Sequence, residues 1–402
     1  MHDRSTIFAS VALCASLTAC GGSGGSAALP APVQRSTPSP TPSPIVLYSV
    51  PTPVSFPAGI VNGADGNVWF VEGLSSKIAR IDIGSGAITE YPLPGCALRP
   101  QYFARGSDDR FWSSVLCGRG VNAWAVVSTS GVGQVIEPPG SLGAFHEVLG
   151  PDGNIWYTVT SPDHIANITP AGVETYYSLA TSQRPAHGPS GIAVGPDGDL
   201  WVAEVSEPYI DRVSIAGIIV NEYTVPTLTD GITAGPDGNM WFTAFANDEI
   251  GYITPAGQTT LYPLVDQCSP IIGGLVGPLN IVKGADGNLW FTEQESYGIG
   301  RLTPAGVMTS FCTPSTPYGP LDLTAGPDGN IWFTESGLND VGKVIIAYTK
   351  QQGKQLRPLH PTLAQNCLRF ESLAARRLES NVIDPPRFGQ STTQELTAWR
   401  NV

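Results

Sequence analysis

The chain has 402 residues, a formal net charge of −13, and no lysine or arginine cluster inside its repeated region. A surface of that sign repels phosphate backbones and argues against nucleic acid as a partner.

From the N-terminus, a short start bearing Arg4 leads into an apolar run from Ile7 to Leu13 and then Ser16-Leu17-Thr18-Ala19-Cys20. Such a stretch is too short to span a bilayer as a helix, so residues 1–20 read as a cleaved export signal. It is similar to a bacterial lipoprotein signal, in which Cys20 becomes the lipid-bearing first residue; an ordinary secretory signal with an incidental cysteine is the other reading. Residues 21–44 are rich in Gly, Ser and Pro and lack an apolar period, as expected of an extended, solvated tether. The expectation is an exported, monomeric domain held at the cell envelope by a lipid on Cys20.

Seven near-copies of one phrase follow, typified by Gly235-Pro-Asp-Gly-Asn-Met-Trp241-Phe, with tryptophans at 69, 112, 156, 201, 241, 290 and 332. Their spacings of 43, 44, 45, 40, 49 and 42 residues match the period of a four-stranded blade. The predicted fold is all-β, a seven-bladed β-propeller over residues 45–348. Each unit reads as a short inner strand, a tight turn, a tryptophan-bearing second strand, a third strand and an outer strand such as Thr89-Glu-Tyr-Pro. Asp-Gly and Gly-Asn supply the positive φ of tight hairpins, which makes the repeated aspartate a turn residue and predicts no metal there. The seventh unit lacks an outer strand, and Ile45-Val-Leu-Tyr-Ser-Val-Pro51 resembles the missing one. The N-terminal segment is therefore expected to close the ring on the last blade and remove its open edge.

In an exported protein the remaining cysteines can oxidise. Cys96 and Cys117 flank the first two strands of blade 2, and Cys268 and Cys312 enter blades 6 and 7, so both pairs are disulfide candidates. The segment 349–402 has none of the repeat phrases and carries eight Lys or Arg against four acids. Leu363, Cys367, Leu368, Phe370, Leu373 and Leu378 would line one side of a helix from about Pro361 to Ser380. It reads as a disordered or weakly docked appendage, or as a fusion or frameshift remnant.

The combination Gly-Pro-Asp-Gly-Asn-x-Trp-Phe-Thr-Glu, Ile-Gly-Arg-x-Thr-Pro-Ala-Gly and Thr-Glu-Tyr-Pro-Leu-Pro resembles the virginiamycin B lyase family from residue 45 to about 348. That resemblance implies magnesium-assisted opening of a cyclic depsipeptide by elimination, in which a base takes the α-proton and the metal polarises the ester. It places the chemistry at the channel mouth, on Pro-His-Gly-Ile phrases of the last two blades. The phrase can be followed around the ring, and its second position carries Ala58, Gln101, Phe145, Ser190, Asp230, Leu279 and Leu321. The histidine positions of the resembled lyases fall on Leu279 and Leu321, and their metal-binding carboxylates on Gly319 and Ser336. Glu335 is adjacent, but Glu72, Glu204 and Glu293 occupy its place in other blades, which favours a structural role. Family catalysis is therefore expected to be absent, with no cofactor, and magnesium only if lyase activity is retained.

Asp230, Ser190 and His187 form a candidate hydrolytic trio at one mouth, although each also suits a wet rim. His146 and Glu147, with Asn280 and Asp322, stand beyond the mouth position, and strand alternation directs them into the packing between blades. The expected function is a non-catalytic envelope module binding a small molecule, peptide, glycan or protein. The alternative is a carbon–oxygen lyase or a metal-dependent lactonase working through substitute residues.

Overall fold

The computed structural model describes residues 44–93, 102–117, 120–180, 184, 188–268, 274–314 and 319–347. Residues 1–43, which hold the expected export signal, Cys20 and all but the last residue of the expected tether, lie outside them, as do Cys96, Gln101, His187 and residues 348–402.

The described residues form seven four-stranded antiparallel sheets, one for each predicted unit. In blade 4 the strands run Pro189–Val194, Leu200–Glu204, Tyr209–Val213 and Ile219–Thr224 from the channel outward. Blade 7 contributes Leu323–Ala325, Ile331–Glu335 and Asp340–Val344, and its fourth strand is Ile45–Ser49 from the N-terminus. That strand pairs Ile45 with Val344 through Ser49 with Asp340. Tyr48 stacks on Trp332 with ring centroids 5.6 Å apart, as Tyr223 stacks on Trp201 at 5.3 Å in blade 4. The borrowed strand thus reproduces the packing of a native outer strand and closes the ring.

All seven phrase tryptophans are at most 1% exposed and fill the space between neighbouring blades. Burying an indole requires a partner for its N–H. Asp237 supplies it in blade 5, where Trp241 Nε1 donates to Oδ1 at 2.9 Å, and the backbone N–H and side-chain amide of Asn239 donate to the same carboxylate. The Asp–Trp bond recurs in blades 1, 3, 4, 6 and 7. The aspartate is therefore both a turn residue and the acceptor for the core tryptophan. The leading glycine is required by proximity: a Cβ at Gly235 would stand 2.2 Å from Trp241 Cδ1.

Neighbouring blades are tied by hydroxyls on the second strands. Thr243 Oγ1 accepts from Gly231 N of its own blade at 2.8 Å and donates to Leu279 O of the next at 2.7 Å. Thr158 does the same with His146 N and Ser190 O. Cys268 and Cys312 are joined by a disulfide that fastens the connection entering blade 6 to its outer strand, Met308–Cys312. Cys117 is also disulfide-bonded, to a partner outside the described residues.

Candidate functional site

Inner strands enter the channel at one mouth, where the phrase position read from the sequence lies. Ala58, Ser190 and Asp230 are buried there, and Phe145, Leu279 and Leu321 are partly exposed. Ser190 and Asp230 stand on adjacent blades whose backbones touch, Gly191 N donating to Asp230 O at 2.8 Å. Asp230 Oδ2 accepts from Phe245 N at 3.3 Å, so this carboxylate also anchors the 3-10 turn Phe245–Asn247. His187, the third member of the trio, lies outside the described residues.

The positions that correspond to lyase chemistry are filled by other work. Leu321 packs against a cluster holding Ala58 and Phe103 of the first two blades. Ser336 is 8% exposed, and its hydroxyl donates to Pro57 O at 2.6 Å, tying blade 7 to blade 1. At Gly319 a Cβ would fall 2.3 Å from the carbonyl oxygen of Gln294, so any side chain there requires the backbone to move. Among the described residues no three His, Cys, Asp or Glu side chains gather as metal ligands. The residues present do not fit the magnesium that the resemblance implies.

The repeated glutamates are fully buried at the ends of the second strands. Glu293 accepts from Ser310 and Ser296 hydroxyls, and Glu335 from Thr313 at 3.4 Å. Glu204 meets Arg184 at 2.6 Å, and that guanidinium also bonds Asp211 and Glu222 while lying 3.6 Å from the Tyr209 ring centroid. Burial pushes Glu204 up to about 10, ahead of the hydrogen bond and charge of Asp211. Local partners thus hold Glu204 and Glu293.

The expectation that His146, Glu147, Asn280 and Asp322 point into the packing between blades holds for Glu147 and Asp322, which accept from backbone amides of neighbouring blades, and is corrected for His146 and Asn280, which meet across the ring. Alternation holds only along regular pairing, and the inner strands of blades 1, 4 and 6 shift register within this phrase, between Pro57 and Ile60, Pro189 and Ile192, and Pro278 and Ile281. His146 Nε2 of blade 3 lies 3.2 Å from Asn280 Oδ1 of blade 6, a contact across the ring. The Asn280 amide donates to Leu321 O at 3.0 Å, and Asp322 Oδ2 accepts from Ile60 N of blade 1 at 3.0 Å. The Tyr102 ring packs on His146 with centroids 4.0 Å apart. Four blades thus contribute to one polar belt around the axis.

Burial dominates the electrostatics of this belt. It lowers His146 to about 4, outweighing the hydrogen bond with Asn280. It pushes Glu147 up to about 8, against the amide of Ser114 and helped by the charge of Asp322, and Asp322 itself up to about 7. Near neutral pH the belt holds a neutral imidazole beside carboxyl groups that exchange protons, chemistry suited to hydrogen-bonded recognition or to acid–base exchange.

Comparison with known proteins agrees with this architecture. Solved structures similar to the chain include a catalytically inactive histidine-to-alanine variant of virginiamycin B lyase from Staphylococcus aureus with quinupristin, at 27% identity and TM-score 0.65, covering 74% of this chain and 98% of that one. A streptogramin B lyase is 28% identical with TM-score 0.65, covering 74% and 96%. Hydrazine synthase from Kuenenia stuttgartiensis, 15% identical with TM-score 0.58 and covering 73% and 96%, shares the fold alone. No match to a curated protein was found. The model described as the virginiamycin B lyase family matches residues 40–134, 134–278 and 274–352, and with the closed seven-bladed ring this shows that the chain belongs to that family.

Proposed function

We propose that the chain is an exported propeller, tethered at the cell envelope through lipid on Cys20, that binds a small molecule, peptide, glycan or envelope protein at the mouth where the inner strands begin. In this reading it lacks the elimination chemistry of its lyase relatives. The carrying observation is Gly319, where the carbonyl of Gln294 occupies the space a metal-binding side chain would need. Leu279 and Leu321 support it, since neither can accept a proton, and a shared fold does not by itself confer an activity. A second reading, lyase or lactonase action through substitute residues, draws on Glu147 and Asp322, whose carboxyl groups titrate near neutrality at about 8 and about 7.

Both readings meet in one assay. The chain from Ile45 to Thr349 and its Leu279→His/Leu321→His double variant are incubated with a streptogramin B depsipeptide, with and without magnesium. Ring opening is followed by chromatography and tandem mass spectrometry, because elimination leaves the mass unchanged. The expected result is an intact ring with both proteins. Metal-dependent linear product from the unmodified chain would overturn the binding reading, and turnover by the double variant alone would show that the metal positions do not lie at Gly319 and Ser336.

A further inference from the structure

The inner strand of blade 2 is short, pairing with its neighbour only through Ala104 and Arg105. In blades 3, 5 and 7 the amide of the second-strand threonine donates to the inner strand, as Thr243 N does to Gly231 O at 2.9 Å. The equivalent amide in blade 2 belongs to Ser114, and it donates to Glu147 Oε1 of blade 3 at 3.2 Å. Glu147 occupies a place held by Ile60, Phe103, Ile192, Ile232, Ile281 and Leu323 in the other blades. A carboxyl group has thus replaced both an apolar side chain and a stretch of strand.

Beside it lies a pocket of about 280 Å³ lined by Glu147 together with Val61, Phe103, Ala104 and Val148, with Asn62 and Arg105 also on its wall. These residues continue the inner strands toward their C-terminal ends, so the pocket belongs to the mouth opposite the one assigned above. Its volume is just below the range of about 300 to 1,000 Å³ usual for drug-sized ligands. Glu147 Oε2 is buried and has no hydrogen-bond partner among the described residues, and no described cation stands within ion-pair distance of it. Arg105, on the same wall, lies 3.8 Å from Asp109. A buried acceptor left open in this way needs a donor from elsewhere.

We propose that this pocket binds a small amphipathic cation of the primary alkylammonium class, its ammonium group against Glu147 Oε2 and its alkyl body on Val61, Phe103, Ala104 and Val148. The surroundings favour a cation over an anion or a neutral guest. The charge of Asp322 on blade 7 acts on Glu147, His146 beside it is neutral, and the whole chain carries −13. A bound ammonium would also ionise Glu147, so binding releases a proton. Affinity then rises by about tenfold for each pH unit while Glu147 is still protonated in the free protein, and levels off above that. A neutral guest that accepts a hydrogen bond from the protonated acid would show the opposite trend.

The test is isothermal titration calorimetry of the full chain with n-butylammonium chloride at pH 6.5 and pH 8.5, with n-butanol as the neutral isostere. The expected result is binding at least about tenfold tighter at pH 8.5, little binding of n-butanol, and a loss of about tenfold or more in Glu147→Gln with no remaining pH dependence. Glu147→Leu, which restores the apolar type of the other blades, should abolish binding too. Thermal melting of both variants at or above the unmodified protein would show that the ring is intact, since each removes a buried ionisable group. Absence of butylammonium binding at pH 8.5, pH-independent binding, or undiminished binding in Glu147→Gln would each overturn the proposal.

Discussion

Asp237→Ala tests the link between turn and core that each blade depends on. The substitution removes the acceptor of Trp241 Nε1 at 2.9 Å and of the Asn239 amides, while Trp241 stays fully buried. A buried donor left without a partner costs about 1–3 kcal/mol, and loss of a charged acceptor stands toward the upper end. With the turn bonds lost as well, the expected destabilisation is about 2–3 kcal/mol, or roughly 5 °C in Tm for a domain of this size. Blade 2 is the internal control: Asp108 engages Arg110 on the surface at 2.5 Å, and Trp112 lies under that arginine at 5.4 Å. Asp108→Ala should therefore cost less than about 1 kcal/mol. Burial works against the charge of Asp237, yet the bonds from Trp241 and Asn239 prevail and hold its carboxyl below its ordinary value of 3.8. A lowered acid stabilises above its unfolded value and loses that contribution as pH falls through the folded one. The difference between Asp237→Ala and the unmodified protein should accordingly shrink below the ordinary carboxylate range. Melting curves followed by circular dichroism provide the measurement, and equal losses for the two alanine variants would refute the reasoning.

Tyr48→Ala should cost about 2 kcal/mol through lost burial and stacking on Trp332, and limited proteolysis should then cut near residues 45–51; Tyr223→Ala should melt earlier by a similar amount without that cleavage. Melting temperature should rise as pH is lowered from 8 toward 6, because Glu147 at about 8, Asp322 at about 7 and Glu293 at about 7 keep protons that the unfolded chain has released. Their stabilising contribution is complete below the ordinary carboxylate range and lost as pH rises through 7 to 8, while His146, lowered to about 4, opposes the trend and makes it shallower below its ordinary 6.5. Glu147→Gln should flatten the alkaline limb, and a melting temperature that rises from pH 6 to 8 would contradict the assigned burial.

The architecture was legible because a blade is a local object. Turn chemistry, strand period and an aromatic at fixed spacing all lie within one repeat, so seven copies over-determine the fold. Ring closure was legible for the same reason: Tyr48 sits in a segment that resembles the outer strands, and blade 7 was one strand short. What escaped was pairwise chemistry within the phrase. Asp237 and Trp241 are four residues apart across a hairpin, and only the folded turn shows that the carboxylate reaches the indole and that Gly235 must lack a side chain for the ring to fit.

His146 and Asn280 were misread because strand alternation was carried through an irregularity of register. Alternation holds along a regularly paired strand, at an edge or not, but the inner strands of blades 1, 4 and 6 shift register within this phrase. The usable signal lay in comparing blades: the same phrase position is glycine at 59, 191 and 231 but Tyr102, His146, Asn280 and Asp322 elsewhere. Non-glycine groups at equivalent places on a closed ring must converge near its axis, as His146 and Asn280 do at 3.2 Å across three blades. Glu147 breaks the pattern more sharply, since a carboxyl raised to about 8 lowers stability at neutral pH where isoleucine would not. An ammonium seated against it would remove that penalty, because the charge that burial disfavours would gain a counter-ion. The feature that weakens the free ring near neutrality is thus the one by which a cationic ligand would strengthen it.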